Sequence, residues 1–80
     1  MEKKSVRLII FGFVQGIGYR KWFRQEIEKL GITGWVKNRD DGSVEALISG
    51  SEKDIEELVV RARIGPPLAR VTDVRCEVLQ

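Results

Sequence analysis

The most informative absence from this 80-residue sequence is histidine, of which the chain contains none. Without an imidazole, the chain has no histidine general base, no phosphohistidine intermediate and none of the common zinc sites that use histidine. A serine nucleophile would lack its usual activating base for the same reason. The chemistry that remains open is catalysis by positioning and by electrostatic stabilisation.

Cysteine is almost absent as well, because Cys76 is the single one. One thiol cannot form a disulfide framework, which excludes a secreted disulfide scaffold. Cys76 lies in an alternating segment near the end of the chain, so we interpret it as a buried structural thiol and not as a nucleophile. The acidic pair Asp40 and Asp41 lacks EF-hand spacing and is interpreted as a solvated turn. We therefore expect no metal site and no cofactor.

Long apolar runs are also missing, since no segment approaches the roughly 20 apolar residues of a membrane span. The apolar run that follows the basic start carries Arg7 and lacks a small-residue cleavage site, so it predicts a strand and not a signal peptide. The formal net charge is +2, and charges of both signs are interspersed. This excess of positive charge is too small to indicate binding of nucleic acid, but it suits a small anionic ligand. We expect a cytoplasmic monomer, a single domain over residues 1–80, with no nucleic-acid or membrane partner.

Hydrophobic periodicity predicts six elements. Alternation through Val6, Leu8 and Ile10 predicts a first strand, which the glycine-rich stretch after it interrupts. The next apolar residues have the spacing of one face of a helix: Tyr19, Trp22, Phe23, Ile27 and Leu30. Gly31 after them predicts the end of that helix. The segments "TGWVKN" and "SVEALIS" around "RDDG" predict a hairpin. Its residues Trp35 and Val36 are interpreted as core and hairpin packing and not as ligand contacts. Ser51 and Asp54 predict the start of a second helix, and "GPP" predicts its end. The alternating segment after it predicts the last strand.

The resulting order is strand, helix, strand, strand, helix, strand. Each predicted helix has one apolar stripe, so both should cover the same face of one antiparallel sheet. The predicted fold class is therefore α+β, with the ferredoxin-like split βαβ arrangement (βαββαβ) of a four-stranded antiparallel sheet and two helices on one face.

The stretch "GFVQGIGYRKWF", residues 12–23, places three glycines and Arg20 between the first strand and the first helix. Successive backbone amides in such a turn form a concave set of donors for an anion, and the helix N-terminus adds its positive dipole end. Arg20 can direct its planar guanidinium onto the same oxygens. Neither GxxxxGK[ST] nor GxGxxG is matched. On spacing alone, an anion site and a plain structural turn with a surface arginine both remain open.

Two segments together resemble the acylphosphatase family. They are "GFVQGIGYR", residues 12–20, and "GWVKNRDDGSVE", residues 34–45. The segments "LGITGWV" and "GPPLARV" also look like family features, so the resemblance extends from Val6 to about Val78. It implies an enzyme that hydrolyses the carboxyl–phosphate bond of acyl phosphates without a metal, giving a carboxylate and inorganic phosphate.

The resemblance also implies a role for particular residues. The phosphate-binding arginine of the family corresponds to Arg20, and the asparagine that holds the attacking water corresponds to Asn38. Phosphate-binding backbone amides are implied for five successive residues: Gln15, Gly16, Ile17, Gly18 and Tyr19. Inorganic phosphate or sulfate should then compete with the substrate. Phe13 stands where the family often has a polar residue, which bears on affinity and not on the type of reaction.

Two alternatives of other classes remain. A catalytically silent domain of the same kind could hold an acyl or carbamoyl phosphate for another enzyme. An RNA-binding module of the same fold would use exposed aromatic residues on its central strands. Phe11 and Phe13 could serve that purpose, but "SVEALIS" has no aromatic residue and the RNP1 pattern is missing.

Overall fold

The computed structural model describes residues 3–79, which form the six elements that the periodicity predicts. They are β1 (Lys3–Phe13), α1 (Tyr19–Lys29), β2 (Thr33–Asn38), β3 (Val44–Ser51), α2 (Glu52–Ile64) and β4 (Arg70–Val78). The strands form one four-stranded antiparallel sheet in the order β2-β3-β1-β4. The predicted α+β, ferredoxin-like fold is confirmed.

The core lies between one face of the sheet and the two helices. Strand β1 is central, and its alternate residues Val6, Leu8 and Ile10 are fully buried, as the alternation predicts. Phe23 of α1 and Leu58 of α2 are equally inaccessible to solvent. The helices contain 11 and 13 residues, and none within residues 3–79 is long and apolar enough to cross a membrane.

Both helices end where glycine allows the chain to turn. Gly31 follows α1 with φ +71°, and Gly65 caps α2 with the same positive φ. At the start of α2, the Ser51 side chain accepts a hydrogen bond from the Asp54 backbone N–H at 3.1 Å. The predicted cap is therefore confirmed, and it satisfies one of the free N–H groups of that helix end.

Strand β1 continues further than expected, through Gly12 to Phe13. Its pairing with β4 becomes irregular between Phe11 and Gly12, as at a β-bulge. Gly12 has φ +125°, and a Cβ there would collide with the backbone oxygen of Arg70. The glycine is thus required by close approach of β4, and the extra residues carry the chain to the point where the loop before α1 begins.

Two predictions of burial are wrong, and both fall on edge strands. Cys76 of β4 is exposed, and its neighbour Val78 is 59% exposed, because an edge strand has a neighbour on one flank only. Trp35 of β2 is 44% exposed, because it alternates with the buried Val36 and so points to the face of the sheet without helices. There the Lys37 ammonium lies 5.4 Å from the centre of its ring.

Candidate active site

The loop between β1 and α1, the start of α1 and the end of β2 line a small cleft. The cleft has a volume of about 180 Å³ and is lined by Val14, Gln15, Gly16, Gly18, Tyr19, Arg20, Lys21, Arg24 and Asn38. Arg20 and Asn38, both predicted as site residues, line the same cleft. Of the five residues predicted to offer backbone amides, four line the cleft, and the side chain of the fifth, Ile17, packs against the core.

Two glycines give the loop its conformation. Gly16 has φ +77° and Gly18 has φ +81°, values that side chains rarely adopt. No heavy atom lies within 4 Å of the position that a Cβ would take at either residue. Glycine is therefore required by the backbone angle and not by a lack of room.

The backbone N–H groups of this loop are available to bind a ligand. Among the hydrogen bonds of residues 3–79, none has a backbone N–H of residues 15–19 as its donor. Helix α1 starts with Gly18 as its N-cap, has no side-chain cap, and has no acidic residue in its first turn. Its first backbone hydrogen bond runs from the Trp22 N–H to the Gly18 oxygen at 3.0 Å. The open donors and the positive end of the helix dipole together favour an anion.

Three cations line the cleft: Arg20, Lys21 and Arg24. None of them forms an ion pair with an acidic residue of the described chain. Each positive charge therefore lacks an ion-pair partner among residues 3–79, and an anion in the cleft would supply one. Lys21 and Arg24 are absent from the sequence-based prediction. The signal for Arg24 was its spacing of four residues from Arg20, which places both on one side of α1.

Asn38 reaches the cleft from the hairpin. It is the last residue of β2, pairs with Val44 in register, and lies on the same face of the sheet as Val36, which is the face covered by the helices. Its side chain is exposed and forms no hydrogen bond with another described residue. The amide is therefore available to a water molecule or a ligand in the cleft.

The turn after Asn38 is held by its own hydrogen bonds. The Arg39 N–H donates to the Ser43 oxygen at 2.8 Å, and Gly42 has φ +92°. The Asp41 carboxylate accepts from the Ser43 N–H at 2.9 Å and from its hydroxyl at 2.5 Å, which lowers the pKa of Asp41. Asp41 thus serves the turn, as predicted. Residues 3–79 contain no group of three or more acidic, cysteine or histidine side chains that could hold a metal.

Comparison with known proteins identifies the family of this chain. A family model described as Acylphosphatase matches residues 6–80. The chain is 49% identical over 79 residues to an acylphosphatase of Rhizobium etli, an alignment that covers 99% of this chain and 84% of that relative. The chain belongs to the acylphosphatase family. The predicted family is confirmed, and with it the prediction that the protein is an acylphosphatase-type hydrolase.

Solved structures support the fold of this family member. The crystal structure of acylphosphatase from Bacillus subtilis matches with a TM-score of 0.92 at 40% identity, covering 94% of this chain and 83% of that one. A structure of HypF from T. kodakarensis matches with a TM-score of 0.84 at 29% identity, covering 96% of this chain but 10% of that one. The acylphosphatase fold thus also occurs as a small part of a larger protein.

Tyr19 anchors the start of α1 below the cleft. Its ring is almost completely buried, and its hydroxyl donates to the backbone oxygen of Ala62 in α2 at 2.8 Å. Burial raises the pKa of Tyr19 well above the ordinary tyrosine range, so the phenol remains neutral. In this acylphosphatase family member, the side chain of Tyr19 is therefore structural.

Proposed function

We propose that the chain hydrolyses the carboxyl–phosphate bond of acyl phosphates in this cleft, without a metal, a cofactor or a covalent intermediate. The observation that carries the proposal is the uncapped N-terminus of α1, where open backbone donors lie beside Arg20 and share one cleft with Asn38. These groups suit the two parts of the reaction, which are binding of a phosphoryl group and supply of a water molecule.

The phosphoryl group would bind to the loop. Backbone N–H groups of residues 15–19 donate to its oxygens, and the Arg20 guanidinium adds two parallel, charge-assisted donors. In a loose phosphoryl-transfer transition state, negative charge is spread over the same oxygens. Donors that are already in place stabilise that charge without reorganisation, which is the main contribution of this site to the rate.

The nucleophile is a water molecule oriented by Asn38, whose side-chain amide has no other partner among residues 3–79. The leaving group is a carboxylate, which needs little acid assistance. A phosphate oxygen of the substrate accepts the proton of the water, because the cleft offers no protein base. Tyr19 cannot fill that role, since its hydroxyl proton is already donated to Ala62.

We further propose that residues 1–80 act as one acylphosphatase-like domain, a monomer in the cytoplasm with no nucleic-acid or membrane partner. The single core between one sheet and two helices supports one domain. A silent phosphate-holding domain is less well supported, because the chain retains Arg20 and Asn38 and covers 84% of a relative named acylphosphatase. An RNA-binding surface is also disfavoured, because the helix-free face of β3 presents Glu45, Leu47 and Ser49 and no aromatic side chain.

The direct test is hydrolysis of benzoyl phosphate in excess chelator. We expect phosphate release at the same rate with and without chelator, and competitive inhibition by inorganic phosphate or sulfate. No hydrolysis under any condition would refute the proposed activity. Activity that chelator removes and a divalent cation restores would refute the metal-free mechanism.

Two variants test the division of labour between Arg20 and Asn38. Arg20→Ala should raise the phosphate Kd and lower kcat together, at a cost of about 2–4 kcal/mol in transition-state stabilisation, and Arg20→Lys should restore little. Asn38→Ala should lower kcat by roughly 100-fold and change the phosphate Kd by only a few fold. Arg63→Ala, at an exposed arginine of α2, is the matched control and should change neither. Equal loss of phosphate affinity in Arg20→Ala and Asn38→Ala would contradict the assignment of Asn38 to water.

A further inference from the structure

The side chain of Gln15 crosses from the phosphate-binding loop to the β2–β3 hairpin. Its Nε2 donates one hydrogen bond to the Arg39 oxygen and a second to the Ser43 oxygen, each at 2.8 Å. Arg39 directly follows Asn38, and Ser43 directly precedes Val44, the register partner of Asn38. Gln15 therefore binds both ends of the turn between β2 and β3, immediately beside the Asn38–Val44 pair.

This bridge uses the full donor capacity of the side chain, because a glutamine amide has two N–H bonds and both find an acceptor here. The two acceptors also belong to the turn itself: the Ser43 oxygen accepts from the Arg39 N–H at 2.8 Å, and the Arg39 oxygen accepts from the Gly42 N–H at 3.2 Å. Within residues 3–79, no other hydrogen bond joins the loop at residues 14–18 to the turn at residues 39–43.

We propose that the Gln15 side chain is a positioning residue that sets the distance and angle between the bound phosphoryl group and the water on Asn38. This inference rests on the proposed function. Asn38 has no side-chain hydrogen bond of its own among the described residues, so the place of its amide depends on the backbone that carries it. Gln15 ties that backbone to the loop whose N–H groups hold the phosphate. Attack in line on phosphorus needs this separation to be kept, because a shift of about 1 Å can reduce a rate by roughly 100-fold.

A positioning role of this kind predicts a specific kinetic signature. The backbone N–H groups of residues 15–19 do not depend on the Gln15 amide, so its loss should leave phosphate binding nearly intact and lower kcat. Gln15→Leu removes both donors at similar volume. Gln15→Asn keeps the amide but is one methylene shorter, so it cannot reach both carbonyl oxygens from the same backbone position. Gln25→Leu makes the same chemical change on the exposed side of α1 and is the matched control.

The deciding experiment is a double-mutant cycle with Asn38→Ala, measured as kcat on benzoyl phosphate beside the Kd of inorganic phosphate. Gln15→Leu and Gln15→Asn should each lower kcat by roughly 10- to 100-fold with a phosphate Kd within about threefold of wild type. In the Asn38→Ala background the same Gln15 substitutions should change kcat by less than about twofold, because the water is no longer held. Gln25→Leu should behave as wild type.

A second readout does not depend on catalysis. Hydrogen exchange of the Arg39 and Gly42 amides, which close the turn, should accelerate in Gln15→Leu and remain unchanged in Gln25→Leu. Independent, multiplicative effects of Gln15 and Asn38 on kcat, or a phosphate Kd that rises as much as kcat falls, would overturn the inference while leaving the proposed function in place. A wild-type protein that does not hydrolyse benzoyl phosphate would instead refute the proposed function, and the positioning role with it.

Discussion

The two helices of this protein begin in opposite ways. Helix α2 starts at Ser51, whose side chain caps the Asp54 N–H, and it has acidic residues in its first turn. Helix α1 starts at Gly18 with no side-chain cap and no acid in its first turn, and its third residue is Lys21 where the third residue of α2 is Asp54. The dipole of α2 is thus complemented by the chain itself, whereas the dipole of α1 is opposed by the chain and left open to an anion.

The difference fits the anion site that we propose at the N-terminus of α1. The N-terminus of α1 gives up the stabilisation that a cap and a first-turn acid would contribute, and its charge pattern costs further free energy. Instead, the buried ring of Tyr19 and its hydrogen bond to Ala62 stabilise the start of the helix. At the N-terminus of α1 the open donors serve the proposed anion site, whereas at the N-terminus of α2 the cap serves stability alone, and this contrast can be tested at both ends.

Phosphate should stabilise the folded protein through the α1 end. At a phosphate concentration 100 times its Kd, the free energy of unfolding should rise by about 2.7 kcal/mol, because the anion binds the folded state only. Arg20→Ala should lose most of this increment at the same phosphate concentration, and Ser51→Ala at the α2 end should keep it. Urea unfolding with phosphate or with chloride at matched ionic strength measures both. An equal increment in Arg20→Ala would place the anion elsewhere.

Tyr19 should make the fold sensitive to alkaline pH. Its pKa is raised by burial, while in the unfolded chain it titrates near its ordinary value of about 10. Above that pH the unfolded state binds fewer protons than the folded state, so the free energy of unfolding falls as pH rises. Tyr19→Phe should lower the free energy of unfolding by about 1 kcal/mol at neutral pH, because the hydrogen bond to Ala62 is lost. Above pH 10 the free energy of unfolding of this variant should decline less steeply than that of the wild type. Tyrosinate absorbance reports the group directly, because the chain contains one tyrosine. Parallel loss of stability in both proteins above pH 10 would contradict the prediction.

Removing the α2 cap should affect stability alone. Ser51→Ala should lower the free energy of unfolding by about 1 kcal/mol, because the Asp54 N–H loses its acceptor, and Ser51→Gly should cost only a few tenths. Hydrolysis of benzoyl phosphate should be unchanged in both, since Ser51 does not line the cleft. Denaturation curves and initial rates of hydrolysis, measured on the same samples of both variants, test these two expectations. A fall in rate without a fall in stability would link α2 to the site.

Exchanging the charge at the third helical position should have the smallest effect on stability. Lys21→Asp should stabilise the ligand-free protein by about 0.3–1 kcal/mol and weaken phosphate binding, because the acid satisfies the dipole and repels the anion. Asp54→Lys should destabilise by a similar amount and leave the phosphate Kd unchanged. Both stability effects should shrink in high salt. Weaker phosphate binding in Asp54→Lys would show that the two ends are not independent.

Much of this protein could be predicted from local patterns. Alternation in β1, the helical stripe that includes Tyr19 and Phe23, and the Ser51 cap depend on neighbours within a few residues, so each gives the correct element. The resemblance to the acylphosphatase family predicts Arg20 and Asn38 as site residues, and the structure places those two in one cleft.

Local patterns along the chain are enough to predict the elements, their order and the glycines that shape the loop, because periodicity and backbone angle are local properties. The packing of the helices on one face of the sheet fixed which side chains stay uncovered, so Cys76 and Trp35, both predicted to be buried, are exposed. It also decided that Arg24 joins the cleft and that the Gln15 amide reaches Arg39 and Ser43. Such contacts join residues far apart along the chain, and their distances are set by how the loop, the hairpin and α1 pack together, which no short-range pattern records.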